Sequence, residues 1–155
     1  MLKKLAVGVA GAASLLLATA TPAGADTGPV AAYGGGAVVV HGDTASLRIV
    51  YTCGTADNHD SHLFVAVKQG GGVSPTNASS EDVDLTAFYS TNWSVDAGPN
   101  ALNCDGQRHQ QWVVVKPQGP GALHSGAVLV QVCVFDSFGM STPYTMQHAV
   151  LAGRS

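Results

Sequence analysis

Short runs of β-branched and aromatic residues, separated by turn-forming residues, are the feature of this sequence that most restricts its fold. Glycine, asparagine, serine and proline lie between the runs, and no helical periodicity is sustained beyond residue 25. Gly42-Asp43 predicts a tight hairpin. The pattern predicts an all-β fold, an immunoglobulin-like antiparallel β-sandwich of about seven strands. The predicted strands are Ala37–His41, Ala45–Thr52, His62–Lys68, Val83–Ser90, Gln111–Lys116, Ala127–Phe135 and Tyr144–Leu151.

The first 25 residues have the three parts of a secretory signal peptide of bacterial type. Lys3 and Lys4 form a positive start, Leu5–Ala18 is apolar, and Ala23-Gly24-Ala25 has the small-x-small pattern that signal peptidase cleaves. The apolar stretch is shorter than the roughly 20 residues of a membrane span. We therefore predict cleavage after Ala25 and a secreted, extracellular protein.

The rest of the chain has the size of one domain. Without the 25-residue leader, 130 of the 155 residues remain, and we expect a flexible lead-in over 26–36 and one sandwich over 37–155. No second apolar stretch reaches the length of a membrane span. The leader contains two of the seven basic residues. The rest of the chain therefore has five basic and ten acidic residues, and its formal charge is −5. This balance disfavours nucleic acid and anionic membranes as partners, because both reward clustered lysine and arginine.

Three cysteines in an oxidising compartment predict one disulfide and one further thiol. Strand alternation places Cys53 on the same face as Leu47, Ile49 and Tyr51, toward the core. This favours a bridge from Cys53 to Cys104. A bridge from Cys53 to the third cysteine, as in immunoglobulin domains, is the alternative.

The third cysteine, Cys133, lies within a run of alternating valines. If the four valines of Val128–Val134 face inward, Cys133 lies on the opposite face beside Gln131. Its thiol is then either exposed, which would permit a minor disulfide-linked dimer, or buried as a small hydrophobic residue. The sequence leaves both alternatives open.

His59, Asp60 and His62 form the densest group of possible metal ligands. Imidazole and carboxylate groups suit zinc or another transition ion. Their spacing, however, matches no established zinc pattern, and a solvated loop before a strand explains them equally well. We predict no metal and no other cofactor. A small metal-binding protein or enzyme that uses the His59–His62 loop is the alternative.

No pattern of residues predicts a catalytic centre. The sequence has neither a Gly-x-Ser-x-Gly elbow nor a His-Glu-x-x-His pair. Asp105 and His109 lie four residues apart and can form a hydrogen bond. A structural pair that holds their loop is favoured over an acid–base dyad. We therefore predict no catalytic residue.

Exposed aromatic residues would offer a binding surface to a sugar ring or a protein. Trp93, within the long segment Thr91–Gln110, is the candidate, whereas Trp112 is expected to fill the core or cover a sheet edge. The same segment suggests a further alternative. Thr91–Cys104, held by a disulfide, could serve as the rigid loop of a secreted enzyme inhibitor.

Tyr51-Thr52-Cys53, Cys104-Asp105-Gly106 with His109 and Trp112, and Gly126-Ala127 before a valine strand form a pattern across the chain. From about Val38 to Val134 it resembles a family of small secreted actinobacterial proteins of unknown function. The resemblance implies that the first two cysteines pair. It implies no activity.

These observations together favour a secreted, non-catalytic protein. We expect an extracellular binding module or a module associated with the cell envelope. Its partner would be an unknown extracellular protein or a cell-wall ligand.

Overall fold

The computed structural model describes residues 29–54, 61–70, 84–94, 101–136, 139–140 and 145–153. These residues form strands and connecting segments, and no apolar helix of membrane-spanning length is found among them. The prediction of an all-β fold is confirmed. The strands are β1 (Val30–Tyr33), β2 (Val38–His41), β3 (Thr44–Thr52), β4 (His62–Gly70), β5 (Leu85–Ser94), β6 (His109–Pro117), β7 (Gly126–Asp136), β8 (Gly139–Met140) and β9 (Thr145–Ala152).

The strands pair around a closed ring. The order is β3-β2-β9-β7-β4-β5-β6, and β6 pairs again with β3, so that seven strands complete a barrel. Neighbouring strands are antiparallel except for the parallel pair β2 and β9. β1 continues along the edge of β3 beyond β2, and β8 pairs with the end of β7.

The barrel differs from the predicted sandwich in how its sheets are joined. β5, β4, β7 and β9 pair along most of their lengths, and so do β3 and β6. By contrast, β5–β6 and β2–β9 share two register pairs each. These two short seams connect what the sequence predicted as two separate sheets. They pair strand edges whose backbone groups would otherwise be open to other chains.

Side chains alternate between the core and the outer surface, as strand geometry requires. In β3 every second residue is buried, which confirms the inward face predicted for Leu47, Ile49 and Tyr51. The alternating valines of β7 also belong to the core, as predicted. The predicted hairpin is present as well, since His41 pairs with Thr44 around Gly42-Asp43 and Gly42 has a φ of 59°.

β1 lies inside the segment expected to be a flexible lead-in. Its residues pair with β3, and Ala31 and Tyr33 are buried. The Tyr33 hydroxyl donates a hydrogen bond of 2.7 Å to the carbonyl of Gly36. This strand is hard to predict from sequence, because it is four residues long and is followed by three glycines.

A disulfide joins Cys53 to Cys104, with 4.8 Å between their Cα atoms and a sequence separation of 51. It is the pairing that the sequence favoured. The bridge holds segment 101–106, which links β5 to β6. In that segment Leu102 is buried in the core and its N–H donates to the Ser94 carbonyl, while the Gly106 N–H donates to the Cys53 carbonyl. The segment thus fills the space where β5 and β6 no longer pair.

Cys133 lies outside the bridge and is 1% exposed. It is on the face of β7 opposite the valines, as the alternation predicted, and β7 runs between β4 and β9. Of the two alternatives, the structure therefore agrees with a buried side chain. A disulfide-linked dimer through Cys133 would require this thiol to leave its packing.

Removal of the bridge should lower stability markedly. Cross-linking across 51 residues restricts the unfolded chain by about 4 kcal/mol on the chain-entropy argument. We expect the Cys53→Ala/Cys104→Ala variant to lose a free energy of unfolding of this size in urea titrations. Cys133→Ala, which retains the bridge, is the control that must respond to reductant as the parent protein does. Equal stability of the bridged and unbridged proteins would contradict this role.

Candidate functional site

The described part of the proposed metal loop gives no metal site. His59 and Asp60 lie outside the described residues. His62 begins β4, and its ring stacks on Phe135 of β7 with 4.3 Å between ring centroids and 13° between ring planes. Among the described residues, no three histidine, cysteine, aspartate or glutamate side chains are grouped as a metal ion would need. His62 therefore has a packing contact within the barrel wall.

Trp93 is not an exposed aromatic residue, and that expectation is wrong. It is 7% exposed and belongs to the core. The predicted strand Val83–Ser90 ended too early, because β5 continues to Ser94. Continued alternation from Ala87 and Tyr89 then points Trp93 inward.

The segment proposed as an inhibitory loop is largely part of the barrel where it is described. Thr91–Ser94 belongs to β5, and residues 95–100 lie outside the described residues. In the remaining part, Leu102 and Cys104 are each 4% exposed. Trp93, Leu102 and Cys104 thus pack into the core, and the use of this segment as an inhibitory loop stays a prediction.

Asp105 and His109 form the hydrogen bond that their spacing suggested. His109 Nε2 lies 2.7 Å from Asp105 Oδ1, which also accepts the N–H of Gln107 at 2.8 Å. Gly106 permits this turn with a φ of 75°, in the region that glycine adopts at no steric cost. The bond from His109, and secondly that from Gln107, holds the pKa of Asp105 below its ordinary value.

Tyr51 connects this turn to the barrel. Its buried hydroxyl accepts hydrogen bonds from the Asn103 N–H at 3.1 Å and from the Gln111 amide at 3.2 Å. The His109 ring stacks on Tyr51 with 5.3 Å between centroids. Burial raises the pKa of Tyr51; the Asn103 bond lowers it and the Asp105 charge raises it further. The hydroxyl therefore stays protonated near neutral pH.

The His109 ring connects three parts of the structure. It joins β6 to β3 through its stack on Tyr51, and it joins β6 to the turn through its hydrogen bond to Asp105.

A small cleft lies on the outer surface of β4, β7 and β9. Lys68, Leu129 and His148 are among its lining residues, and the buried Lys68 amine lies 5.5 Å from the centre of the Phe88 ring. Its volume is about 80 Å³. Ligand pockets usually enclose roughly 300 Å³ or more, so this cleft is too small for a substrate.

Trp112 is the large aromatic residue that the described surface exposes. It is 60% exposed, whereas we expected it to fill the core or cover a sheet edge. Val113 and Val115 take the inward positions of β6, so Trp112 and Val114 point outward. Val114 is itself 46% exposed. The two side chains form an apolar centre on the outer surface of β6.

Polar and basic side chains surround this centre. Arg48 of β3 pairs directly with Trp112, and its guanidinium donates to the Gly34 carbonyl with distances of 2.6 and 3.1 Å. The close approach of Arg48 favours glycine at position 34. A Cβ there would lie only 3.0 Å from Arg48, which is tighter than ordinary van der Waals contact. We define the Trp112 face as the surface formed by Arg48, Arg108, Gln110, Trp112, Val114 and Lys116.

The alternation of β6 was the signal that could have revealed this face. Gln110 and Lys116 share even positions with Trp112, and polar residues at such positions indicate the solvent side of a strand. Three consecutive valines, Val113–Val115, hide this two-residue alternation, because they place apolar residues on both faces of the strand.

No protein-family model matches the sequence, and no curated protein matches it either. Among solved structures, the chain is similar to a beta-glucosidase from Kluyveromyces marxianus. The match has 9% sequence identity and a TM-score of 0.36, and it covers 80% of this chain. The chain spans only 14% of the length of that enzyme.

The bond between Asp105 and His109 should be visible in a titration. His109→Phe keeps a ring against Tyr51 but removes the donor, so the pKa of Asp105 should rise toward its ordinary value of 3.8. Carboxyl carbon chemical shifts in NMR measure this pKa. Arg108→Gln, which removes a neighbouring charge that does not contribute to the shift, is the control.

The same bond gives stability a defined pH dependence. Because the pKa of Asp105 is lower in the folded protein, its stabilising effect is present above pH 3.8 and disappears as pH falls through the lowered value. The stability advantage over His109→Phe should therefore shrink in acid. An identical Asp105 pKa in both proteins would show that the bond does not form.

Proposed function

We propose that the protein is a secreted, non-catalytic binding module that attaches to a glycan of the cell envelope through the Trp112 face. The observation that carries this proposal is the 60% exposure of Trp112 at the centre of a paired strand surface. Its backbone is fixed by the pairing of β6 with β3. A rigid indole offers a large contact area at low conformational cost on binding.

The composition of the face favours a sugar over a protein partner. A sugar ring packs its C–H groups on an aromatic face and presents hydroxyls to polar neighbours at its rim. Trp112 and Val114 supply the apolar contact, while Gln110 and Arg48 supply donors beside it. The core of a protein interface is generally broader and depleted of charge. Here the charged Arg48 lies directly beside a single exposed aromatic residue.

Replacement of Trp112 tests the proposal. Trp112→Ala should weaken binding to purified envelope polysaccharide at least about tenfold, as expected when an aromatic contact at the centre of an interface is lost. Thermal unfolding should change little because the side chain is mostly exposed. Val150→Ala, an equally exposed apolar residue on β9, is the matched control and should bind as the parent does.

Fluorescence gives an independent measurement. The chain has two tryptophans, and Trp93 is buried. A sugar stacked on the indole should therefore change the emission of Trp112 alone, and the change should be absent in Trp112→Phe. No affinity for any envelope glycan, or undiminished affinity in Trp112→Ala, would refute the proposed function.

Export is part of the proposal and rests on the leader together with the disulfide, which persists in oxidising compartments. We expect protein collected from culture medium to begin at Asp26 by intact-mass measurement. A mature chain that retains Met1 would contradict cleavage.

The finer classification of the fold is likewise proposed. Without β2 and β8, the remaining strands can be lettered A to G in chain order. They contain the pairings A-B-E and C-F-G of immunoglobulin domains, while strand D pairs mainly with C and only briefly with E. This supports an immunoglobulin-like description. Membership of the actinobacterial family of unknown function is also proposed. It is supported by the contacts that join Tyr51, Cys53, Cys104, Asp105 and His109, the residues of the shared pattern.

A further inference from the structure

We infer that the ligand of the Trp112 face is an anionic glycan, a chain of sugars that carries carboxylate or phosphate groups. This inference rests on the proposed function and specifies its ligand. It follows from the placement of basic residues along β6.

The outward line of β6 has a positive residue toward each end. Lys116 lies four residues after Trp112, and Arg108, directly before β6, lies four residues before it. At roughly 3.3 Å per residue, each charge is about 13 Å from the tryptophan. The line therefore presents a cation, an aromatic ring and a second cation to an extended molecule.

These cations are available to a ligand. Within the described residues, the ion pair formed is that of Asp105 with His109, and no carboxylate lies within 4.0 Å of Arg108 or Lys116. Both side chains are exposed. Arg48, across from Trp112, adds a positive charge that its bonds to Gly34 hold in place.

The local charge is opposite to that of the chain as a whole. After the leader, five basic residues face ten acidic ones, yet Arg48, Arg108 and Lys116 all lie on this face. Such a distribution gives a local attraction for anions within a protein whose overall charge is negative. A carboxylated or phosphorylated glycan combines anionic groups for these cations with sugar rings for the indole.

The test compares one polymer with and without its charge. Polygalacturonate and its methyl ester share a backbone, but only the former is anionic. At low salt we expect the parent protein to bind polygalacturonate about tenfold or more tightly than the ester, a preference that salt reduces by screening. Arg108→Gln/Lys116→Gln should bring the ratio of affinities close to one, and Val150→Ala should leave it unchanged.

The outcomes separate this inference from the proposed function. Equal binding of both polymers, lost from both in Trp112→Ala, would retain the glycan-binding function and overturn the anionic ligand. No binding of either polymer or of a teichoic acid would overturn the anionic ligand, and the comparison of the parent protein with Trp112→Ala on envelope polysaccharide would then decide the proposed function separately. A preference for the teichoic acid over polygalacturonate would support the inference with phosphate as the source of charge. Tighter binding of oligo(dT) than of either anionic glycan would refute it.

Discussion

The closure of the barrel beside β6 depends on the covalent link between Cys53 and Cys104. β5 and β6 pair only near Tyr89 and Lys116 and then separate, so a barrel built from backbone pairing alone would leave the core open at this end. The segment carrying Leu102 and Cys104 fills that opening. Three interactions hold this segment in place. They are the disulfide, the hydrogen bond from the Asn103 N–H to the Tyr51 hydroxyl, and the hydrogen bond from the Gln107 N–H to Asp105.

The Trp112 face on the outside of β6 depends on the same end of the barrel. One side of β6 is paired with β3 along seven residues, from Tyr51–His109 to Ala45–Val115. The stack of His109 on Tyr51 and the Gln111 bond to that hydroxyl fasten the start of this pairing. Trp112 follows within three residues. The side chains of His109 and Gln111, which contact Tyr51, and the exposed side chain of Trp112 thus lie on opposite faces of β6.

Alternation predicted much of the fold where polar and apolar residues follow one another regularly. β3 and β7 have such a pattern, and the orientation of Cys53, Cys133 and the valines followed from it. The two tryptophans were placed wrongly for opposite reasons. The polar residues around Trp93 made the end of β5 look like a loop. The consecutive valines after Trp112 made both faces of β6 look buried. β1 escaped prediction because its burial comes from contact with β3, a tertiary interaction that four residues cannot encode alone.

The two short seams give the barrel unequal resistance to local unfolding. β5–β6 and β2–β9 each hold two register pairs, whereas β4 and β7 pair over seven. Free energies of local opening vary within a protein and are lowest where few backbone hydrogen bonds must break together. Local unfolding of the barrel should therefore begin at these seams. The sheet of β5, β4, β7 and β9 should stay folded as one cooperative unit. Both seams lie level with the start of β3, because Lys116 of one seam follows Val115, the partner of Ala45, and Val39 of the other seam pairs with Ser46. The disulfide follows the opposite end of β3, at Cys53. Transient opening of the molecule is consequently directed to the end of the barrel away from the bridge.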